Sequence, residues 1–148
     1  RKTELKIGRD EFQFSVSSER DGFLTILGYS PDGTLAELVP NTVSRTVRLR
    51  KGQNWRFPTG DGFFLATQEP PGPTHLLVMV SASPRNFDAM QPRRDGPVRL
   101  FPTGSQASVL AAAHDGPQSI LAGKPQCPAK APCDDAYGAA LLRFDTQR

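Results

Sequence analysis

The chain has 148 residues, of which 37% are apolar and 22% charged, with nine Phe and a formal net charge of +3. That is the length of one domain, enough to bury a core without a metal or a dense disulfide frame, and the composition excludes a disordered tail. Acidic residues are interleaved with the basic ones, so the mild excess reads as solubility and not as the basic stripe of a nucleic-acid binder.

Fourteen Pro and thirteen Gly are spread along the chain, as short strands joined by many turns require. In Glu11–Ser17, Phe12, Phe14 and Val16 alternate with polar residues, the period of a half-buried strand. Asp21-Gly22 marks a turn, and GFLTILGY follows as a more fully buried strand. Ser30-Pro31-Asp32-Gly33 is a strong turn signal, with TLAELV as the return arm of a hairpin that Pro40-Asn41 ends. Arg45–Arg50 alternates again, with Val47 and Leu49 pointing inward. Lys51-Gly52-Gln53-Asn54 turns the chain into Trp55-Arg56-Phe57, and FFLATQE is the next expected strand.

After the stop at Pro70-Pro71-Gly72-Pro73, HLLVMVSA is apolar on both faces and reads as a central strand. Residues 84–97 read as a long loop and VRLF as a short edge strand. Ser105–His114 has a capping Ser, a run of Ala and a Gly stop, which predicts one short helix. Residues 123–136 form a Pro-rich loop, and YGAALLRFD is the closing strand. The whole reads as a single β-rich domain over 1–148. It is expected to be an antiparallel β-sandwich of about seven or eight strands with one short helix; a small β-barrel is the alternative. The expected core is Phe12, Phe14, Val16, Leu24, Ile26, Val47, Leu49, Leu77 and Val78.

The longest strongly apolar stretch, Leu76–Val80, is far shorter than a membrane helix, which needs about 20 residues. This piece is therefore not expected to insert into a membrane. The chain begins at Arg1 and not at Met, so it is expected to be a processed product or part of a longer protein.

Chemistry-bearing patterns are sparse. Cys127 and Cys133 sit in CPAKAPC, where a disulfide would close a small ring, worth about 2 kcal/mol by loop entropy, and would imply an oxidising compartment. Two free thiols are the alternative. A zinc or redox role lacks a second ligand pair or a CxxC spacing. His75 and His114 are isolated, and no nucleophile, metal or phosphate-loop motif occurs. Five Asp-Gly dipeptides are spread singly and read as turns. Phe-Pro-Thr-Gly at 57 and at 101 has unmatched flanks, which makes it two similar turns and not a repeat. No cofactor is implied. The one surface that suggests binding is basic and aromatic: Arg45, Arg48, Arg50 and Arg56 around Trp55. Such a face holds or stacks on an anionic ligand; a solvated, edge-protecting strand face is the plainer reading.

One resemblance reaches further. Asp21-Gly22-Phe23-Leu24, Asp32-Gly33, Leu38-Val39-Pro40-Asn41, and Pro70-Pro71 before an apolar strand and Ser81 together resemble a bacterial family known as a domain of unknown function. The resemblance runs over about residues 10–85, and Cys133–Phe144 is similar as well. Gly72-Pro73 departs from the pattern, with Pro where a small or polar residue follows Gly. The resemblance implies a module appended to serine/threonine kinases, caspase-like peptidases and secretion-linked lipoproteins, outside the cytoplasmic membrane. It brings no catalytic residues. The expected function is thus a non-catalytic periplasmic or otherwise extracytoplasmic binding, sensor or assembly module of a larger bacterial protein, with a membrane-anchored serine/threonine kinase linked to type VI secretion among the hosts the resemblance implies. Its partner would be a protein or cell-envelope ligand. Binding of an anionic glycan or polymer through the Arg/Trp face is the alternative.

Overall fold

The computed structural model describes residues 4–58, 67, 70–87, 91–101, 124–125 and 137–148. The strands are β1 (Glu4–Lys6), β2 (Phe14–Val16), β3 (Gly22–Tyr29), β4 (Leu35–Val39), β5 (Arg48–Leu49) and β6 (Trp55–Phe57). They continue as β7 (Gly72–Ser81), β8 (Arg85–Asn86), β9 (Arg93–Asp95), β10 (Val98–Leu100), β11 (Lys124–Pro125) and β12 (Tyr137–Gln147).

The turn signals do what their residue types dictate. Asp32 Oδ1 accepts the Thr34 N–H at 2.9 Å and Gly33 takes φ +88°, so β3 folds back onto β4. The side chain of Asn41 closes the next turn. Its Oδ1 accepts the N–H groups of Val43 and Ser44, and its Nδ2 donates to the Leu38 carbonyl.

Eight strands form one open sheet in the order β1-β12-β7-β3-β4-β10-β9, with β5 beside the first residues of β3. β7 lies between β12 and β3, as its two-sided apolar sequence requires. β2 and β6 make a separate two-stranded ribbon, and β8 and β11 another.

Alternation sends each strand's side chains to two cores. On one face Leu24, Ile26, Leu76, Val78 and Phe144 meet Phe12, Phe14, Val16 and Phe57, so the ribbon covers this face. Phe14 stacks on Phe57 with centroids 5.1 Å apart, and Phe12 meets Phe144 edge-on at 5.2 Å. On the far face Leu27, Leu35, Leu77, Met79, Phe87 and Phe101 form the second cluster. A register shift between Ile26 and Leu27 puts the consecutive residues Leu38 and Val39 into the same cluster, as a bulge does. Of the nine expected core residues, eight are buried; Val47 is half-buried against the first cluster.

The structure corrects several expectations. The fold is mainly β, but the main sheet is mixed and not antiparallel, because β1 runs parallel beside β12. Among the described residues a sandwich of two comparable sheets is not formed: strand pairing gathers eight strands into one layer and leaves a two-stranded ribbon above it. The barrel alternative fails as well: among the described residues the sheet path ends at β1 and β9 and does not close. The 84–97 segment holds β8 and β9. Asp95-Gly96, with Gly96 at φ +60°, folds β9 onto β10, so VRLF is an inner strand and β9 the edge. No helix occurs among the described residues; the expected helix at 105–114 lies outside them, as does FFLATQE apart from Thr67.

Candidate functional site

β2 ends at Val16, and the residues that follow it line a pocket with β7 and β12. The chain leaving β2, Ser17–Asp21, faces the two strands across a groove of about 610 Å³. Its floor is Val78 and Val80 of β7 with Gly138 and Ala140 of β12, which are register partners and share a face. Its rim carries Ser17, Ser18, Glu19, Arg20 and Asp21, with Tyr137, Ser81 and Ala82 at the end.

The rim is braced. Ser18 Oγ accepts the Arg20 N–H at 3.2 Å, and the Ser18 carbonyl accepts the Gly52 N–H at 2.9 Å. Asp21 Oδ1 accepts the Lys51 N–H at 2.7 Å, tying the rim to the turn between β5 and β6. Below it Gly22 lets β3 approach β7: a Cβ there would lie 2.6 Å from Val80 Cγ1 and 2.9 Å from the Ser81 carbonyl oxygen. The groove therefore has an apolar floor of small residues and a rim of mixed charge and hydroxyls, which suits a ligand with an apolar body and polar edges.

The structure does not gather the basic-aromatic residues into one surface. Arg48 and Leu49 point to opposite faces of β5; Leu49 enters the ribbon-side core while Arg48 lies over the Phe23 ring at 5.7 Å. Trp55 packs on that same ribbon-side core, 6.5 Å from Phe14 and 6.1 Å from Phe57. Arg56, exposed and next to it on β6, points away. Arg50 is exposed at the turn, where its N–H donates to Gln53 Oε1. Arg45 lines a recess of about 100 Å³ with Phe23, Thr25, Pro40 and Arg85. Sequence alternation showed which way each residue of one strand points, but not that β5 and β6 belong to different layers.

Two arrangements escaped sequence reading. Arg85 is buried, with its guanidinium 5.3 Å from the Tyr137 ring centre. Glu37, 4% exposed in the middle of β4, receives Arg99 in a two-pronged ion pair at 2.8 and 3.1 Å. A Glu inside the apolar run LAELV was the available signal; its partner is set by the β4–β10 register.

His75 is half-buried on β7, 6.2 Å from the Tyr29 ring. His114, Cys127 and Cys133 lie outside the described residues. Among the described residues no cluster of three His, Cys, Asp or Glu is placed to hold a metal ion, and no helix is long and apolar enough to cross a membrane.

The family described as Domain of unknown function (DUF4384) matches residues 4–84, more than half of the chain. The match spans β1 to β7, the ribbon and the groove rim included. No curated protein and no solved structure matches.

Proposed function

We propose that this chain, which belongs to the DUF4384 family of domains of unknown function, is a non-catalytic binding or assembly module of a larger bacterial protein. The observation that carries the reading is the groove: a rigid two-strand floor under a braced rim, where a ligand can dock without rearrangement of the fold. The ligand is a protein segment or an envelope component with an apolar body. The site of action is the periplasm or another extracytoplasmic space, the kind of compartment that the bridge expected between Cys127 and Cys133 would require. By the company such domains keep, the host is a serine/threonine kinase, a caspase-like peptidase or a secretion-linked lipoprotein, and a membrane-anchored kinase linked to type VI secretion is the first to consider.

The test is co-sedimentation and cross-linking of the purified chain with bacterial sacculi and with the envelope protein fraction. Ser17→Trp, which fills the groove from an exposed rim position, should abolish capture with an unchanged thermal melt. Release of soluble fragments from the sacculi would overturn the non-catalytic reading.

A second reading has its own observation. Arg45 and Arg85 both line the recess beside Phe23, and Arg48 lies over that ring, so an anionic glycan or polymer would dock on this corner of the sheet without Trp55. Under this reading Arg45→Glu with Arg48→Glu, and not Ser17→Trp, removes capture, and capture falls steeply with salt.

A further inference from the structure

β12 pairs with β7 over ten consecutive residues, but β1 covers only Asp145–Gln147 of its other side. Among the described residues nothing pairs with the outer edge of β12 over Gly138–Phe144. Gly138, Ala139, Ala140 and Arg143 are exposed, Leu141 and Leu142 half-buried.

The direction of the backbone groups follows from one hydrogen bond. The Gln147 carbonyl accepts the Ile7 N–H at 2.7 Å, on the β1 side. A strand residue sends its N–H and C=O to the same side and its neighbours alternate. The ladder to β7 shows no register shift from Tyr137 to Thr146, so the alternation carries through. Ala139, Leu141 and Arg143 therefore present their N–H and C=O groups outward. Exposed edges are usually blunted by charge, Pro or a bulge; Gly138–Leu142 has none of these.

We propose that this edge pairs with the same edge of a second copy of the chain, antiparallel, about a two-fold axis at Leu141. Leu141 is the midpoint of the uncovered window, and an axis there sets the outward groups of 139, 141 and 143 against those of 143, 141 and 139. The side chains are self-complementary in this register. Gly138 falls opposite Phe144, Ala139 opposite Arg143 and Ala140 opposite Leu142, each small residue against a large one, and Leu141 meets its own copy. The one charge in the window, Arg143, lies two residues from the axis, so the two arginines stay roughly 14 Å apart along the strands and no like charges are opposed. An isologous contact of this kind closes at two copies, because β1 blocks the edge beyond residue 144.

The test is sedimentation equilibrium of the 148-residue chain, which should show a dimer at about 100 µM. Ala139→Lys sets a like charge against Arg143 twice and should weaken the dimer about tenfold, while Ala139→Glu sets an opposite charge there and should tighten it by a similar factor. Ala139→Pro removes an outward N–H that β7 does not use and should leave only monomer. If that variant melts early, the Lys and Glu pair decides the matter, since both are surface changes. A chain that stays monomeric at about 1 mM, or a dimer equally tight in the Lys and Glu variants, overturns the proposal. Gly138, Ala139 and Ala140 also line the groove, so the dimer is measured on the chain alone, where the rim change Ser17→Trp, on another segment, should leave it unchanged.

Discussion

At the residue scale, stability rests on a few side chains with definite partners. Phe14 touches Phe57, Phe144 and Trp55 and is 5% exposed. It joins the ribbon to the sheet, so Phe14→Ala should lose about 3–5 kcal/mol in urea unfolding; a loss under about 1 kcal/mol would mean that the ring is not enclosed. Gly22→Ala is expected to cost about 1–3 kcal/mol, because the new methyl meets a backbone carbonyl that cannot swing aside. For the Glu37–Arg99 pair the sign depends on how much is removed. Arg99→Leu alone strands a buried carboxylate and should cost about 3 kcal/mol, whereas Glu37→Leu with Arg99→Leu should come close to neutral, since a well-packed apolar pair avoids the desolvation of both charges. A double variant as unstable as the single one would contradict this account.

At the element scale, protection should follow pairing. β7 is hydrogen-bonded on both sides and buried on both faces, so its amides should exchange most slowly with deuterium, at rates set by global unfolding. β9 is an exposed three-residue edge, and its amides should exchange first. Equal rates in the two strands would show that the sheet does not open from its β9 side. The CPAKAPC loop lies outside the described residues, and its test is chemical. Unreduced protein made in an oxidising compartment should weigh two hydrogens less than the reduced form, and two alkylatable thiols would rule out the Cys127–Cys133 bridge.

At the scale of the whole molecule, the ribbon packs on one face of the sheet and the groove lies beside it, and the two proposed binding readings use different places on that sheet. Arg48→Glu with Arg50→Glu changes two exposed positions and should shift the melting point by no more than a few degrees. In capture experiments it separates the two functional readings, because neither residue touches the groove.

What the sequence by itself determined is what local chemistry controls. Period-two alternation assigned Phe12, Phe14 and Val16 to a core, because a strand residue's face depends only on its parity, and apolar residues on both faces marked GFLTILGY as buried and HLLVMVSA as the sheet centre. Asp, Asn, Gly and Pro placed the turns at 30–33, 40–41 and 51–54, because each acts on its own backbone. Pairing was not legible, since the partner of a strand is chosen by packing over the whole chain. Nothing in Glu4–Lys6 announces a parallel seat beside residues 145–147, and nothing in LAELV names Arg99. The candidate surface divided for the same reason. Arg48 and Trp55 are seven residues apart, yet β5 joined the main sheet and β6 the ribbon. The groove between Ser17–Asp21 and the strands β7 and β12 was hidden for the same reason, because its two walls are far apart in the chain and only tertiary packing sets them face to face.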